Sequence, residues 1–118
     1  MDSIYVPYKL AVKLEDCRYS GQLDNAVYPK GERRVYPKEW IKEGEVTPAP
    51  MYWCVLAWLR DLHRIHIVID LDEEYWKPVL YDFSHGNKYI PTGERNFSIY
   101  SQAVDYAIEQ AIKLISYE

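Results

Sequence analysis

Residues 50–71, PMYWCVLAWLRDLHRIHIVIDL, change hydrophobic period once, and that change constrains the fold more than any other feature. Residues 51–59 carry no charge. Met51, Val55, Trp58 and Leu62 fall on one helical stripe. Tyr52, Leu56 and Leu59 widen it, and Trp53 and Ala57 carry it further round. A helix apolar over so much of its girth is expected to be buried on more than one side. Pro50 suits the first turn, where its missing N–H would have no partner anyway, and Thr47 upstream is a candidate cap. Arg60, Asp61, His63 and Arg64 close the segment, the basic groups lying toward the negative end of the helix dipole. Then Ile65, Ile67, Ile69 and Leu71 alternate with His66, Val68, Asp70 and Asp72. That is period two with β-branched residues throughout, which predicts a strand. The switch falls near Arg64–Ile65 without a glycine, so the connection must be very tight.

The remainder reads as cover for this helix–strand pair. Leu10, Ala11, Leu14 and Cys17 keep helical spacing over residues 7–17, with Gly21 beyond to stop the helix. Ala26-Val27-Tyr28 and Arg34-Val35-Tyr36 flank Pro29-Lys30-Gly31-Glu32, a proline–glycine turn signal that predicts a small hairpin ended by Pro37. Residues 43–50, with Gly44, Pro48 and Pro50, read as a loop. They set a boundary between an N-terminal helix-plus-hairpin appendage, residues 1–46, and a main unit, residues 47–118, together forming one domain. After the central strand comes an acidic turn at residues 72–75. A second strand follows over residues 76–83, with Val79, Tyr81 and Phe83 on one face. Pro78 cannot donate to a ladder, so this strand begins there or lies partly on an edge. The turn Ser84-His85-Gly86-Asn87 leads to a short third strand, residues 88–90, ended by Pro91, and residues 92–96 form a polar loop. Residues 99–116 close the chain as an amphipathic helix. Its stripe is Tyr100, Ala103, Val104, Ala107, Ile108, Ala111, Leu114 and Ile115, and Ser98 is its expected cap. The fold class is therefore α+β: a helix, a three-stranded antiparallel meander and a helix, both helices on one sheet face, preceded by a short helix and a hairpin.

The run Ala57-Trp58-Leu59-Arg60-Asp61-Leu62-His63-Arg64-Ile65-His66-Ile67, with the closing helix from Ile99 to Ile115, resembles a group of small uncharacterised proteins. These are encoded by phages, prophages and mobile elements of Bacteroides-type bacteria. Members show a W-L/F-R-E-K/D-x-H-x-I-H-I run and a C-terminal Y-E-E-A helix ending A-L-K-L-I. They open with a Y-x-L-A-x-x-L-K helix, matched by Tyr8-Lys9-Leu10-Ala11-Val12-Lys13-Leu14, and Ala49-Pro50-Met51-Tyr52 matches an A-P-x-Y segment. The resemblance covers nearly the whole chain. Ile99-Tyr100-Ser101-Gln102-Ala103 departs from the T-Y-E-E-A pattern, lacking its threonine and both acids. The group carries no assigned activity, so no catalytic residue transfers by position. It implies a phage or mobile-element product acting in the cytoplasm of a bacterial host.

Chemistry is sparse. Asp61, His63 and His66, with Asp70 and Asp72 nearby, are the one metal-like constellation, and His63, His66 and Asp70 are its candidate ligands. These histidines straddle a helix–strand junction, so the plainer reading has one ending the helix and the other on the solvent side of a strand. No phosphate-binding loop, dinucleotide fingerprint, nucleophile elbow or Cys/His pair is present. Cys17 and Cys54 stand far apart and outside any CxxC, as reduced thiols do, and Cys54 lies inside the apolar helix as a small hydrophobe. No cofactor and no enzymatic activity are expected. The longest uncharged run is far short of a membrane span, and no secretory signal opens the chain.

A net charge of −4 disfavours general nucleic-acid binding. The helix–three strands–helix order is also that of the double-stranded-RNA-binding fold, but Ser98, Ser101, Gln102 and Asp105 stand where that module carries its phosphate-binding bases. Lys30, Arg33, Arg34 and Lys38 make the basic cluster on which a nucleic-acid alternative rests. Its plainer reading is a solvated hairpin tip beside Glu32 and Glu39. Twelve Tyr and 4 Trp against 2 Phe favour aromatic contact surfaces, where ring area and a polar tip act together. The leading expectation is thus a non-enzymatic interaction or accessory protein. Its partner is a host or phage protein or a second copy, and Arg33, Arg34, Trp40, Trp53 and Trp76 are its candidate contacts.

Overall fold

The computed structural model describes residues 4–20, 26–84, 86, 88–90 and 95–116. Gly21, His85, Asn87, Pro91 and residues 92–94, to which stops and turns were assigned above, lie outside the described residues. The fold is α+β: the described residues form three α-helices, a short 3-10 turn and two three-stranded antiparallel sheets. The chain divides into two compact units, Met1–Val55 and Leu56–Glu118.

In the first unit, helix α1 (Tyr8–Asp16) buries Leu10, Ala11 and Leu14 on one stripe. It stops well before Gly21. The N–H of Arg18 donates to the Glu15 carbonyl and that of Tyr19 to the Leu14 carbonyl, each at 3.0 Å. This closes a Schellman motif with Arg18 in the left-handed position at φ 62°. Strand β1 (Ala26–Pro29) pairs with β2 (Tyr36–Pro37) on one side and with β3 (Val46–Pro48) on the other. The predicted hairpin is therefore present, but its second strand is shorter and shifted toward Pro37. The stretch read as loop holds β3 instead. Val46-Thr47-Pro48 has no alternation to announce it, and β1 supplies its pairing: Val27 faces Pro48 and Tyr28 faces Thr47. The expected boundary at residues 46/47 thus falls inside a paired strand. Tyr28 is buried, its hydroxyl donates to the Val6 carbonyl, and its ring meets Tyr8 edge-on at 5.5 Å. A buried tyrosine needs such a partner for its polar tip.

Helix α2 (Tyr52–His63) begins directly after Pro50 and Met51. Cys54, Val55, Trp58 and Leu59 are buried, but Trp53 is 67 % and Leu62 63 % exposed. The helix is therefore buried along one stripe and not all round. Its end is the tight connection that the missing glycine demanded, for Arg64 takes up a left-handed backbone at φ 59° and β4 (Ile65–Asp72) starts at once.

In the second unit, β4, β5 (Tyr75–Asp82) and β6 (Lys88–Ile90) form an antiparallel meander in that order. Asp72 faces Tyr75 across a two-residue turn, so Ile67 faces Leu80 and His66 faces Tyr81. Val79, Tyr81 and Phe83 share a face, as the alternation predicts, and the register sets which one: they lie with His66 and Val68, opposite the face of Ile65, Ile67 and Ile69. Leu80 and Pro78 back the isoleucines, and Leu71 is 62 % exposed beyond them.

Pro78 stands inside β5, the central strand. Trp76 exchanges both backbone hydrogen bonds with Phe97, at 2.7 and 2.9 Å, on the side away from β4. Residues two apart turn their backbone groups to the same side. The missing N–H of Pro78 therefore falls between Phe97 and β6, whose described residues pair with residues 80–82. The ladder needs no N–H from that position, and there proline is tolerated.

Helix α3 (Tyr100–Ser116) lies along β4 and β5 and buries Ala103, Val104, Ala107, Ile108, Ala111 and Ile112. Alanine at every fourth position lets the backbone approach the sheet closely. The helix starts one residue later than its expected cap requires, and Ile99, not Ser98, directly precedes it. Trp76 meets Tyr100 edge-on at 5.0 Å, which places α3 on the isoleucine face. The Arg95 guanidinium lies 5.4 Å from the Phe97 ring centre and 5.0 Å from that of Tyr106.

Candidate functional site

On the sheet face opposite α3, the register sets three rings in a line across the strands: Tyr89 on β6, Tyr81 on β5 and His66 on β4. Tyr81 and Tyr89 meet edge-on at 6.0 Å. Phe83, just past β5, stacks on Tyr81 at 6.4 Å and lies 6.4 Å from His66. Phe83 is 44 % and Tyr89 48 % exposed, whereas Tyr81 and His66 are half-buried. The row is thus a side-by-side ring surface with two accessible members. Pairs of this kind contribute about 0.5–1.5 kcal/mol each beyond the area they cover, so the surface is held in shape before anything binds to it.

The predicted metal ligands do not come together. His63 packs edge-on against Trp58 at 4.5 Å, with its Nε2 buried and making no hydrogen bond. His66 belongs to the aromatic row. Asp70 is exposed and stands opposite Lys77 in the strand register. Asp61 is taken by Arg60, whose Nε lies 3.0 Å from the carboxylate. That hydrogen bond holds the Asp61 carboxyl below its ordinary value. Among the described residues no group of three or more His, Cys, Asp or Glu side chains is arranged to hold a metal ion. Burial pushes the Cys54 thiol up, against a smaller opposite pull from its hydrogen bond with Tyr19. A thiol so placed stays protonated and is a poor nucleophile.

The interaction candidates divide. Trp40, on the 3-10 turn Lys38–Trp40, and Trp53, on α2, are each 67 % exposed. Trp76 is half-buried against Tyr100 and belongs to the packing under α3. Lys30, Arg33, Arg34 and Lys38 are all exposed. Lys30 lies 3.5 Å from Glu45, a solvated pair. Arg33 lines a shallow depression with Pro7, Tyr8 and Lys9. Sequence reasoning missed His66, Tyr81, Phe83 and Tyr89 as a surface. The signal was available in the turn, since two turn residues at Glu73 and Glu74 force Tyr81 opposite His66.

Among the described residues no helix is long and apolar enough to cross a membrane. Comparison with protein-family models, with curated proteins and with solved structures found no match to this chain.

Proposed function

We propose that this chain is a non-enzymatic interaction protein, an accessory factor of a phage or mobile element that binds a host or phage protein in the bacterial cytoplasm. The aromatic row Tyr89–Tyr81–His66, with Phe83 stacked beside it, carries this reading. Rigid tyrosine and phenylalanine rings present large contact area while losing little conformational freedom, and such residues dominate binding energy at protein interfaces. The resemblance to phage and mobile-element proteins supports the setting. The test is capture from a host lysate with the wild-type chain, followed by affinity measurement on each retained protein. Changing Tyr81, Phe83 and Tyr89 together to Ala is expected to weaken binding by at least about ten-fold, the effect of losing one interface anchor. Equal affinity in that triple variant would refute the row as the contact surface.

The basic cluster favours a second reading, nucleic-acid binding. Arg33, Arg34 and Lys38 are exposed and make no ion pair among the described residues. That reading requires salt-sensitive retention on RNA or DNA that is lost in an Arg33→Glu/Arg34→Glu variant. Unchanged retention in the variant would exclude the cluster.

A further inference from the structure

Strand β4 is an edge of its sheet, and its sequence is complementary to itself. We propose that two copies of this chain pair antiparallel through β4, joining their three-stranded sheets into one continuous sheet with its two-fold axis at Val68.

The backbone argument comes first. β4 spans eight residues and, among the described residues, pairs with β5 alone. Phe83 donates to the Arg64 carbonyl at 2.8 Å, and Trp76 turns its own bonds away from β4. Both facts fix the alternation. Arg64, His66, Val68 and Asp70 bond inward to β5, so the N–H and C=O groups of Ile65, Ile67, Ile69 and Leu71 point outward. Native edges are commonly guarded by proline, lysine, a bulge or a covering strand. β4 contains neither proline nor lysine, and its ladder to β5 runs unbroken from Ile65 to Asp72.

The side chains then choose the register. Outward groups must meet outward groups, so an odd-numbered residue faces an odd-numbered residue. With the axis at Val68, Ile67 faces Ile69 of the second copy and Ile65 faces Leu71. On the other sheet face His66 meets Asp70, and Arg64 stands toward Asp72 just beyond the paired residues. Apolar meets apolar, the His66 imidazole meets the Asp70 carboxylate as a hydrogen-bonding partner, Arg64 meets the anion Asp72, and the two-fold repeats every pair. Opposite charges directly across an antiparallel pair are favourable, and like charges are not. An axis at Ile67 sets His66 against Val68 and leaves Asp72 facing the helix end. An axis at Ile69 sets Asp70 against Val68 and carries Ile65 out to the turn residue Glu73. The exposed Leu71 gains an apolar neighbour in the Val68 register. The pairing shares His66 with the aromatic row, but its tests read self-association and leave Tyr81, Phe83 and Tyr89 unchanged, so the two readings fail separately.

Two measurements test it. Sedimentation velocity over a roughly hundred-fold concentration range is expected to show the mass rising from 14.0 kDa toward twice that value. Leu71→Pro removes an outward N–H at an exposed position and is expected to weaken association at least about ten-fold while leaving the circular dichroism spectrum unchanged. The second measurement stands even if that variant fails to fold. In a Cys17→Ser/Cys54→Ala background, Val68→Cys places two thiols across the axis. A non-hydrogen-bonded antiparallel pair sits about 4.5 Å apart at Cα, within disulfide reach. Oxidation is expected to link Val68→Cys copies covalently and to leave an Asp70→Cys control unlinked. A chain that stays monomeric throughout, dimers indifferent to Leu71→Pro, or equal cross-linking of both cysteine variants would each overturn the proposal.

Discussion

Replacing Glu73 with glycine is expected to stabilise the protein, and the size of the gain follows from one backbone angle. Glu73 is the first residue of the two-residue turn between β4 and β5 and sits at φ 57°. An L-residue with a side chain is strained there by about 1–2 kcal/mol, because Cβ crowds the following carbonyl. Glycine carries no such cost but widens the unfolded ensemble, which offsets about 0.4–1 kcal/mol. Removing a carboxylate flanked by Asp72 and Glu74 adds a few tenths, as solvated like charges do. The net is a gain of about 0.5–1 kcal/mol, or roughly 2–6 °C in Tm for a chain of this size. Urea unfolding and calorimetry measure it. Glu73→Ala is the decisive companion, since it removes the same charge and keeps the Cβ. If alanine stabilises as much as glycine, charge and not backbone strain explains the gain. If glycine destabilises, the strain argument is wrong.

Other outcomes are equally concrete. Ile99→Asp puts a side-chain acceptor directly in front of α3, where isoleucine has none, and is expected to raise stability by about 1 kcal/mol in urea unfolding. Ile108 is fully buried on α3, so Ile108→Ala is expected to cost about 2–5 kcal/mol in the same assay. Trp53→Ala, at a residue 67 % exposed, is expected to change stability by less than about 0.5 kcal/mol, and a larger loss would show that the indole is part of the packing. The raised Cys54 thiol makes a stability contribution that is complete below its ordinary value of 9.0 and declines as pH rises beyond it. Thiol titration of the native chain with a disulfide reagent at pH 8 should accordingly leave Cys54 protected until denaturant is added.

Much of the second unit was legible because its pattern is local. Alternating isoleucines announce β4, and the 3.6-residue stripe of small and branched side chains announces α3. The absent glycine near Arg64 foretold a tight connection, and Arg64 makes it with a left-handed backbone. Less could be read where pairing decides. Val46-Thr47-Pro48 becomes a strand only because β1 offers it an edge, and no periodicity in three residues reveals that. The faces of β5 depend on the length of a turn, and counting one residue differently exchanges them. The aromatic row stayed hidden for that reason: alternation puts Val79, Tyr81 and Phe83 on one face, and only the register sets that face opposite α3. The histidines illustrate the same limit. Only two residues separate His63 from His66, but a helix end and a left-handed residue lie between, so nearness in sequence does not become a shared site.

The two margins of the second sheet are unlike. β4 offers an unbroken ladder of eight residues, whereas at the other margin the described part of β6 offers three. Two sheets joined through β4 would carry only that short strand at either outer edge, and a short edge gives a further strand little to pair with. Such growth stops at the pair, and light scattering during storage at high concentration is expected to find no species larger than a dimer.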